Sequence, residues 1–144
     1  MMPSDPKILE RARARAAANN YWRHLGIDVT DAGEGWIRLR LPVRDELRNS
    51  GGAPLHGGAL SSLLDAAVGG ALSTVHEASE GGVGQATLDL NITYIGAARQ
   101  GEIYAEGRII RKGGTIAYGE ADIRDAAGEL LARGRVTYML LRPR

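Results

Sequence analysis

The sequence of 144 residues contains no cysteine, which excludes disulfide bonds and catalysis by a thiol. It has no apolar run of the ~18 residues typical of a membrane-spanning helix, and no signal-peptide pattern. A formal net charge of +1 gives no strong attraction to nucleic acid. These absences predict a cytoplasmic protein that binds neither a membrane nor nucleic acid.

Metal-binding and modular patterns are also missing. His, Asp and Glu residues do not cluster at metal-ligand spacings, so no metal site is expected. No internal repeat or low-complexity linker divides the chain, and 44% of its residues are hydrophobic. One domain over residues 1–144 is therefore predicted, and its first 24 residues form a helical extension with one helix from Lys7 to His24.

The most unusual stretch is Pro54 to Leu72. Apolar residues recur at three- and four-residue spacing from Leu60 to Val75, which predicts a helix that buries a wide stripe. Between Arg48 and His76 only His56 and Asp65 can carry charge. A lone helical carboxylate is commonly a surface group or a satisfied core group. Here the other residues on its helical face are all small, which is typical of the border of a cleft: Gly58, Ser61, Ser62 and Gly69.

The segment His56-Gly57-Gly58 lies where this helix should begin. Unhindered amide groups at a helix start can donate to an anion or to a developing oxyanion, and glycine lets a ligand atom come close. The alternative is that Gly57 and Gly58 serve only a tight turn into the helix.

The remaining chain reads mainly as strands. Trp36 to Val43 alternates in hydrophobicity before the helix, and a polar loop from Glu77 to Gly84 follows the helix. Short connections predict that the later strands are antiparallel, and the order indicates an α+β fold in which a curved sheet wraps one helix. These four later strands are predicted over Gln85–Ile95, Glu102–Lys112, Thr115–Arg124 and Leu130–Leu141.

His-Gly-Gly followed seven residues after the second glycine by a helical Asp65, and then by the strand motif 88–94, resembles the hot-dog-fold acyl-CoA thioesterases of the phenylacetate-pathway (PaaI-like) branch. The resemblance covers roughly residues 25–141. It implies a hot-dog fold and hydrolysis of an aryl- or fatty-acyl-CoA to free acid and CoA, without a cofactor. The alternative is a non-catalytic hot-dog protein that binds acyl-CoA or has a regulatory role.

The resemblance also implies roles for particular residues. Gly57 would offer its amide to the thioester oxygen, with Gly58 beside it, and Asp65 would be the general base or the nucleophile. His56 would hold the loop. Thr87 would position the carboxylate or a water, although strict strand alternation points it away from the helix and its role requires an irregular strand start.

Two residues are candidates for a second hydrogen-bond donor to the oxyanion. The family's Asn usually precedes the His by six residues, and that position is Ser50 here, whereas Asn49 lies seven residues before His56. Gly51-Gly52 could absorb the extra residue, so Asn49 is the predicted substrate-binding residue and Ser50 its competitor.

The spacing of Gly57 and Asp65 bears on assembly. Eight residues of helix separate them by roughly 12 Å, too far for both to reach one thioester carbon. The resemblance implies a homodimer or homotetramer with active sites shared between chains, and two antiparallel helices across a twofold axis would provide this arrangement.

Overall fold

The computed structural model describes residues 2–76 and 84–141. The loop predicted over 77–84 lies, except for Gly84, outside the described residues. The helices are α1 (Pro6–Ala18), α2 (Asn20–Leu25) and α3 (Gly57–Ser73), with a 3₁₀ turn at Asp45–Leu47. The strands are β1 (Asp28–Gly33), β2 (Trp36–Pro42), β3 (Gln85–Tyr94), β4 (Glu102–Lys112), β5 (Ile116–Asp125) and β6 (Leu130–Leu140).

All six strands form one antiparallel sheet in the order β1-β2-β4-β5-β6-β3. Helix α3 packs on one face of this sheet and contacts every strand from β2 to β6. Strands β1 and β3 are the two edges. One antiparallel sheet packed on one long helix confirms the predicted α+β, hot-dog architecture. None of the helices in the described part of the chain is long and apolar enough to cross a membrane.

The core between α3 and the sheet consists mainly of small and aliphatic side chains, and the chain contains no phenylalanine. Glycines on the sheet let α3 come close. A Cβ atom added at Gly107 of β4 would lie 2.3 Å from the carbonyl oxygen of Ala67, and one added at Gly119 of β5 would lie 2.4 Å from Val68 Cγ1. Real side chains essentially never make such contacts, so the separation of helix and sheet requires glycine at these positions.

The N-terminal extension differs from the prediction of one helix from Lys7 to His24. Two helices are present, because the chain turns to an extended conformation at Asn19. The Asn19 side chain accepts a hydrogen bond from the Trp22 N–H (3.0 Å) and so caps α2. The Asn19-Asn20 pair after a run of alanines was the available sequence signal for this break.

Strand β1 was not predicted. It pairs with β2 through the turn Gly33-Glu34-Gly35, in which Gly35 adopts a positive φ of 78°. This strand is difficult to recognise in the sequence. Its polar residues and a register shift between Val29 and Asp31 interrupt the alternation of hydrophobic and polar residues expected of a strand.

Substitution of Gly107 tests the close packing of helix and sheet. Gly107→Ala should lower the free energy of unfolding by about 1–3 kcal/mol, since the new methyl group would overlap backbone atoms of Ala67. Urea unfolding followed by circular dichroism measures the change. The matched control is Gly114→Ala, where an added Cβ meets no atom within 4 Å. Equal unfolding midpoints for the two variants would contradict this account.

Candidate active site

Asp65 is the one charged residue of α3, and it is partly buried near the middle of that helix. Its neighbours Leu64 and Ala66 are buried, so the carboxylate emerges at the margin of the core. A cleft of about 760 Å³ lies beside it, between α3 and the pair α1–α2. The predicted small-residue face borders this cleft through Ser62 and Gly69.

Thr87 reaches Asp65 because β3 begins irregularly. The register of β3 against β6 shifts between Thr87 and Asp89, so Leu88 is the extra residue of a β-bulge. The bulge resets the alternation of side chains, and the Thr87 hydroxyl donates a hydrogen bond of 2.9 Å to Asp65 Oδ1. The irregular strand start that the Thr87 prediction required is therefore present.

Tyr138 of β6 is a second contact of Asp65, and sequence reasoning missed it. Its hydroxyl lies 2.5 Å from Asp65 Oδ1 and 2.8 Å from the Asp65 backbone oxygen. Burial, and then the negative charge of Asp65, raise the pKa of the Tyr138 phenol well above its usual range, so the hydroxyl stays a donor. Only the strand register could have indicated this contact, because Tyr138 of β6 pairs directly with Thr87 of the neighbouring strand β3.

The backbone amide groups in the first turn of α3 differ in their hydrogen bonding. His56 is the N-cap, and its Nδ1 accepts the Gly58 N–H at 2.7 Å. Its backbone oxygen accepts the Ala59 N–H at 2.9 Å. The Gly57 N–H has no hydrogen-bond partner among residues 2–76 and 84–141. It therefore is a free donor in the first turn, at the positive end of the helix dipole.

Tyr94, at the end of β3, covers this first turn. Its hydroxyl donates to the Gly57 carbonyl oxygen at 2.9 Å and lies 2.5 Å from Ser61 Oγ. A Cβ atom at Gly57 would lie 3.1 Å from the Tyr94 ring. Glycine at position 57 thus leaves room for the Tyr94 ring.

Asn49 and Ser50 lie in an exposed loop before α3. The Asn49 backbone N–H and its side-chain amide both donate to the Pro54 carbonyl, at 3.2 and 3.5 Å. Ser50 accepts the Ala53 N–H through its backbone oxygen. Both residues are thus held within the loop, and the choice between them as a substrate donor stays a prediction.

The structure brings the predicted residues together as two separate groups. Asp65 and Thr87 meet in one, and His56, Gly57 and Gly58 form the other at the start of α3. Eight residues of continuous helix, roughly 12 Å, lie between Gly57 and Asp65. One chain therefore presents a carboxylate and an amide donor too far apart to act on one carbon atom.

The described residues contain no group of three or more His, Asp or Glu side chains placed to hold a metal ion. One long helix packed on a single antiparallel sheet is the arrangement of the hot-dog fold. The family model of the thioesterase superfamily matches residues 54–132, from just before His56 into β6. The chain belongs to the thioesterase superfamily, and it is a thioester hydrolase.

Relatives of known name agree with this membership. The chain is 34% identical over 133 residues to human acyl-coenzyme A thioesterase 13, covering 90% of this chain and 91% of that protein. The structure of zebrafish thioesterase superfamily member 2 has a TM-score of 0.77 at 31% identity and covers 96% of this chain and 99% of that one. The PaaI protein of E. coli, at 20% identity, shares the fold with a TM-score of 0.79, over 93% of this chain and 96% of that one.

The buried phenol of Tyr138 should make the protein sensitive to alkali. The fold raises the pKa of this phenol, so the free energy of unfolding does not depend on the Tyr138 proton below the unfolded pKa of about 10. Above that pH the unfolded chain loses the proton while the folded protein keeps it, and the free energy of unfolding falls. Above pH 10 the free energy of unfolding of Tyr138→Phe should therefore fall less steeply with pH than that of the parent protein, by up to about 1.4 kcal/mol per pH unit. Urea unfolding at several pH values measures the slope.

The control for Tyr138→Phe is Tyr118→Phe, which removes an exposed phenol. If both variants show the same alkaline slope as the parent protein, Tyr138 is not held protonated by the fold.

Proposed function

We propose that the protein hydrolyses aryl- or fatty-acyl-CoA to free acid and CoA, and that each site joins Asp65 of one protomer to Gly57 of the partner subunit. The observation that carries the proposal is the setting of Asp65. Two hydroxyl groups, from Thr87 and Tyr138, converge on one carboxylate at the edge of a cleft. A carboxylate held in this way is oriented for attack or for proton transfer.

The reaction follows from these groups. The Gly57 amide polarises the thioester carbonyl and stabilises the oxyanion that forms there. As general base, Asp65 takes a proton from water, the water oxygen bonds to the acyl carbon, and the sulfur leaves and receives the proton. As nucleophile, Asp65 forms an anhydride with loss of CoA, and water then cleaves it. Both routes give one acid and one CoA thiol, and neither requires a cofactor.

The remaining predicted residues have supporting roles in this proposal. His56 fixes the first turn of α3 by accepting the Gly58 amide, so Gly58 contributes by binding His56 closely. A Cβ atom at Gly58 would lie 2.9 Å from His56 Nδ1, which a larger residue would disturb. Asn49 would be the second donor to the thioester oxygen, and Ser50 its competitor.

A second copy of the chain fits the free edge at β3. Three large apolar side chains are exposed in or next to this edge strand, which is a surface that proteins usually cover: Leu88, Tyr94 and Ile95. We propose a homodimer across a twofold axis, and dimers that pair into a tetramer. Light scattering on a sizing column tests both states. The cytoplasmic location expected from composition stays a prediction.

Loss of the Asp65 charge tests the catalytic role directly. Asp65→Asn keeps the size of the side chain but cannot act as base or nucleophile, so kcat should fall by at least ~10²-fold. Release of free CoA thiol from several acyl-CoAs measures the rate. Asp28→Asn, an exposed site on β1 at the opposite edge of the sheet, should retain the parent rate. Full activity in folded Asp65→Asn protein would refute the assignment.

Mixed dimers test the sharing of the site. Asp65→Asn chains and Gly57→Val chains are unfolded together in equal amounts and refolded. Half of the dimers should then be mixed, and each mixed dimer should have one intact site out of two. About a quarter of the parent activity is therefore expected from counting.

Each variant refolded alone gives the background rate for this experiment. Mass spectrometry of the intact dimers establishes that mixed dimers form. Mixed dimers that are no more active than either variant alone would show that one chain supplies the whole site.

A further inference from the structure

Strand β3 brings a hydroxyl group to each of the two parts of the candidate site. The side chains of a strand alternate between its two faces, so Tyr94 lies on the same face of β3 as Leu90 and Ile92, which pack against the core. Thr87, near one end of β3, contacts Asp65, and Tyr94, at the other end, contacts the first turn of α3. Only the Thr87 contact has a role in the proposed reaction.

The Tyr94 hydroxyl and the His56 ring hold one peptide unit of this turn at both ends. The carbonyl group of Gly57 and the N–H of Gly58 belong to the same planar unit. The carbonyl oxygen accepts a hydrogen bond of 2.9 Å from the Tyr94 hydroxyl, and the N–H donates to His56 Nδ1 at 2.7 Å. Since the unit is planar, two bonds at its opposite ends fix its orientation.

The preceding peptide unit carries the Gly57 N–H, which has no partner among the described residues. The other end of this unit is the His56 carbonyl oxygen, which accepts the Ala59 N–H at 2.9 Å. The two units meet at the Gly57 Cα atom, so fixing both planes fixes the direction of the Gly57 N–H. Tyr94 is the part of this arrangement that comes from the sheet, and it therefore ties the first turn of α3 to β3.

Glycine at positions 57 and 58 makes such support necessary. Glycine has more backbone freedom than any other residue, and it favours the helix less than most others do. A Cβ atom at Gly57 would lie 3.1 Å from Tyr94 Cζ, so the absence of a side chain lets the ring lie directly over the turn. The Ser61 hydroxyl, 2.5 Å from that of Tyr94, can donate to it while Tyr94 donates to Gly57.

We infer that Tyr94 is a positioning residue, which aims the Gly57 N–H at the thioester oxygen by holding the peptide unit between Gly57 and Gly58. A preorganised donor stabilises an oxyanion because its orientation need not change during the reaction. A donor of variable direction would stabilise the developing oxyanion less, and this loss would appear in kcat. The inference rests on the proposed thioester hydrolysis and adds a residue that acts on it through the backbone.

Tyr94→Phe tests this role, because it keeps the ring over Gly57 and removes only the hydroxyl. The measurement is steady-state hydrolysis of phenylacetyl-CoA or decanoyl-CoA, whichever the parent protein hydrolyses faster. The value of kcat should fall by roughly 10-fold, less than the ~10²–10³-fold that follows removal of a whole oxyanion donor, while KM should change by less than about 3-fold.

The matched control for Tyr94→Phe is Tyr118→Phe. It removes an exposed phenol from β5 and should keep the parent kcat. Circular dichroism establishes that both variants are folded. An unchanged kcat in Tyr94→Phe would overturn the inference, and so would a loss confined to KM.

Gly57→Pro removes the N–H itself and so tests whether Tyr94 acts through it. Proline is favoured at the first position of a helix, and the His56 ψ of 139° suits a following proline. Gly57→Ala is the matched control, since it adds a Cβ atom near Tyr94 but keeps the N–H. Tyr94→Phe should change kcat by less than about 2-fold in the Gly57→Pro background and should lower it further in the Gly57→Ala background. An equal fall in both backgrounds would overturn the inference.

Hydrogen exchange of the Gly58 amide gives a readout that needs no turnover. Isotopic labelling of glycine alone allows this N–H, which bonds to His56, to be followed by NMR. In Tyr94→Phe its exchange should be faster by roughly 5-fold, the scale of one lost hydrogen bond, and in Tyr118→Phe it should equal the parent's. Unchanged exchange in Tyr94→Phe would show that the hydroxyl does not hold this peptide unit, and it would overturn the inference.

The outcomes separate this inference from the proposed function. A parent protein that hydrolyses none of a panel of aryl- and fatty-acyl-CoAs refutes the proposed function and, with it, a role for Tyr94 in the reaction. Hydrolysis by the parent, together with a parent-like kcat in folded Tyr94→Phe protein, leaves the proposed function in place and refutes the positioning role.

Discussion

The close approach of α3 to the sheet is the constraint on which the site depends. Glycine at positions 107 and 119, and a core without phenylalanine, let the helix backbone lie against β4 and β5. At this separation the short reach of Tyr138 from β6 suffices to place its hydroxyl on both the carboxylate and the backbone of Asp65. Larger side chains at positions 107 and 119 would move α3 away from the sheet and separate these groups. The glycines that bring the helix close to the sheet therefore also allow Tyr138 to contact Asp65.

The β-bulge at Leu88 is the second device that builds the site. A regular β3 would point Thr87 to the outer face of the sheet, away from α3. One extra residue turns the Thr87 hydroxyl inward while Leu90 and Ile92 still pack against the core. Bulges often aim side chains in this way, and here the bulge places a hydroxyl group on the Asp65 carboxylate.

The sequence was most informative where periodicity and chemistry coincide. Helix α3 and strands β2 to β6 were predictable from their spacing, and Asp65 was conspicuous as a lone charge among apolar residues. Tyr138 was not predictable, because 73 positions separate it from Asp65 and only strand register joins them. Strand β1 and the break at Asn19 were missed for a different reason. Polar residues obscured the alternation of β1, and a single capping side chain interrupted an otherwise helical pattern.

The capping of α3 explains why a site confined to one chain is difficult to build. His56 engages the Gly58 amide, and its carbonyl engages that of Ala59, so the free donor is the amide of Gly57, farthest from Asp65. The rigid helix then fixes their separation. Strand β3, which carries Thr87, is also the free edge available to a second copy. In the proposed dimer, pairing at that edge would place the bulge in the interface, and assembly would then both complete the site and hold Thr87, which contacts the Asp65 carboxylate.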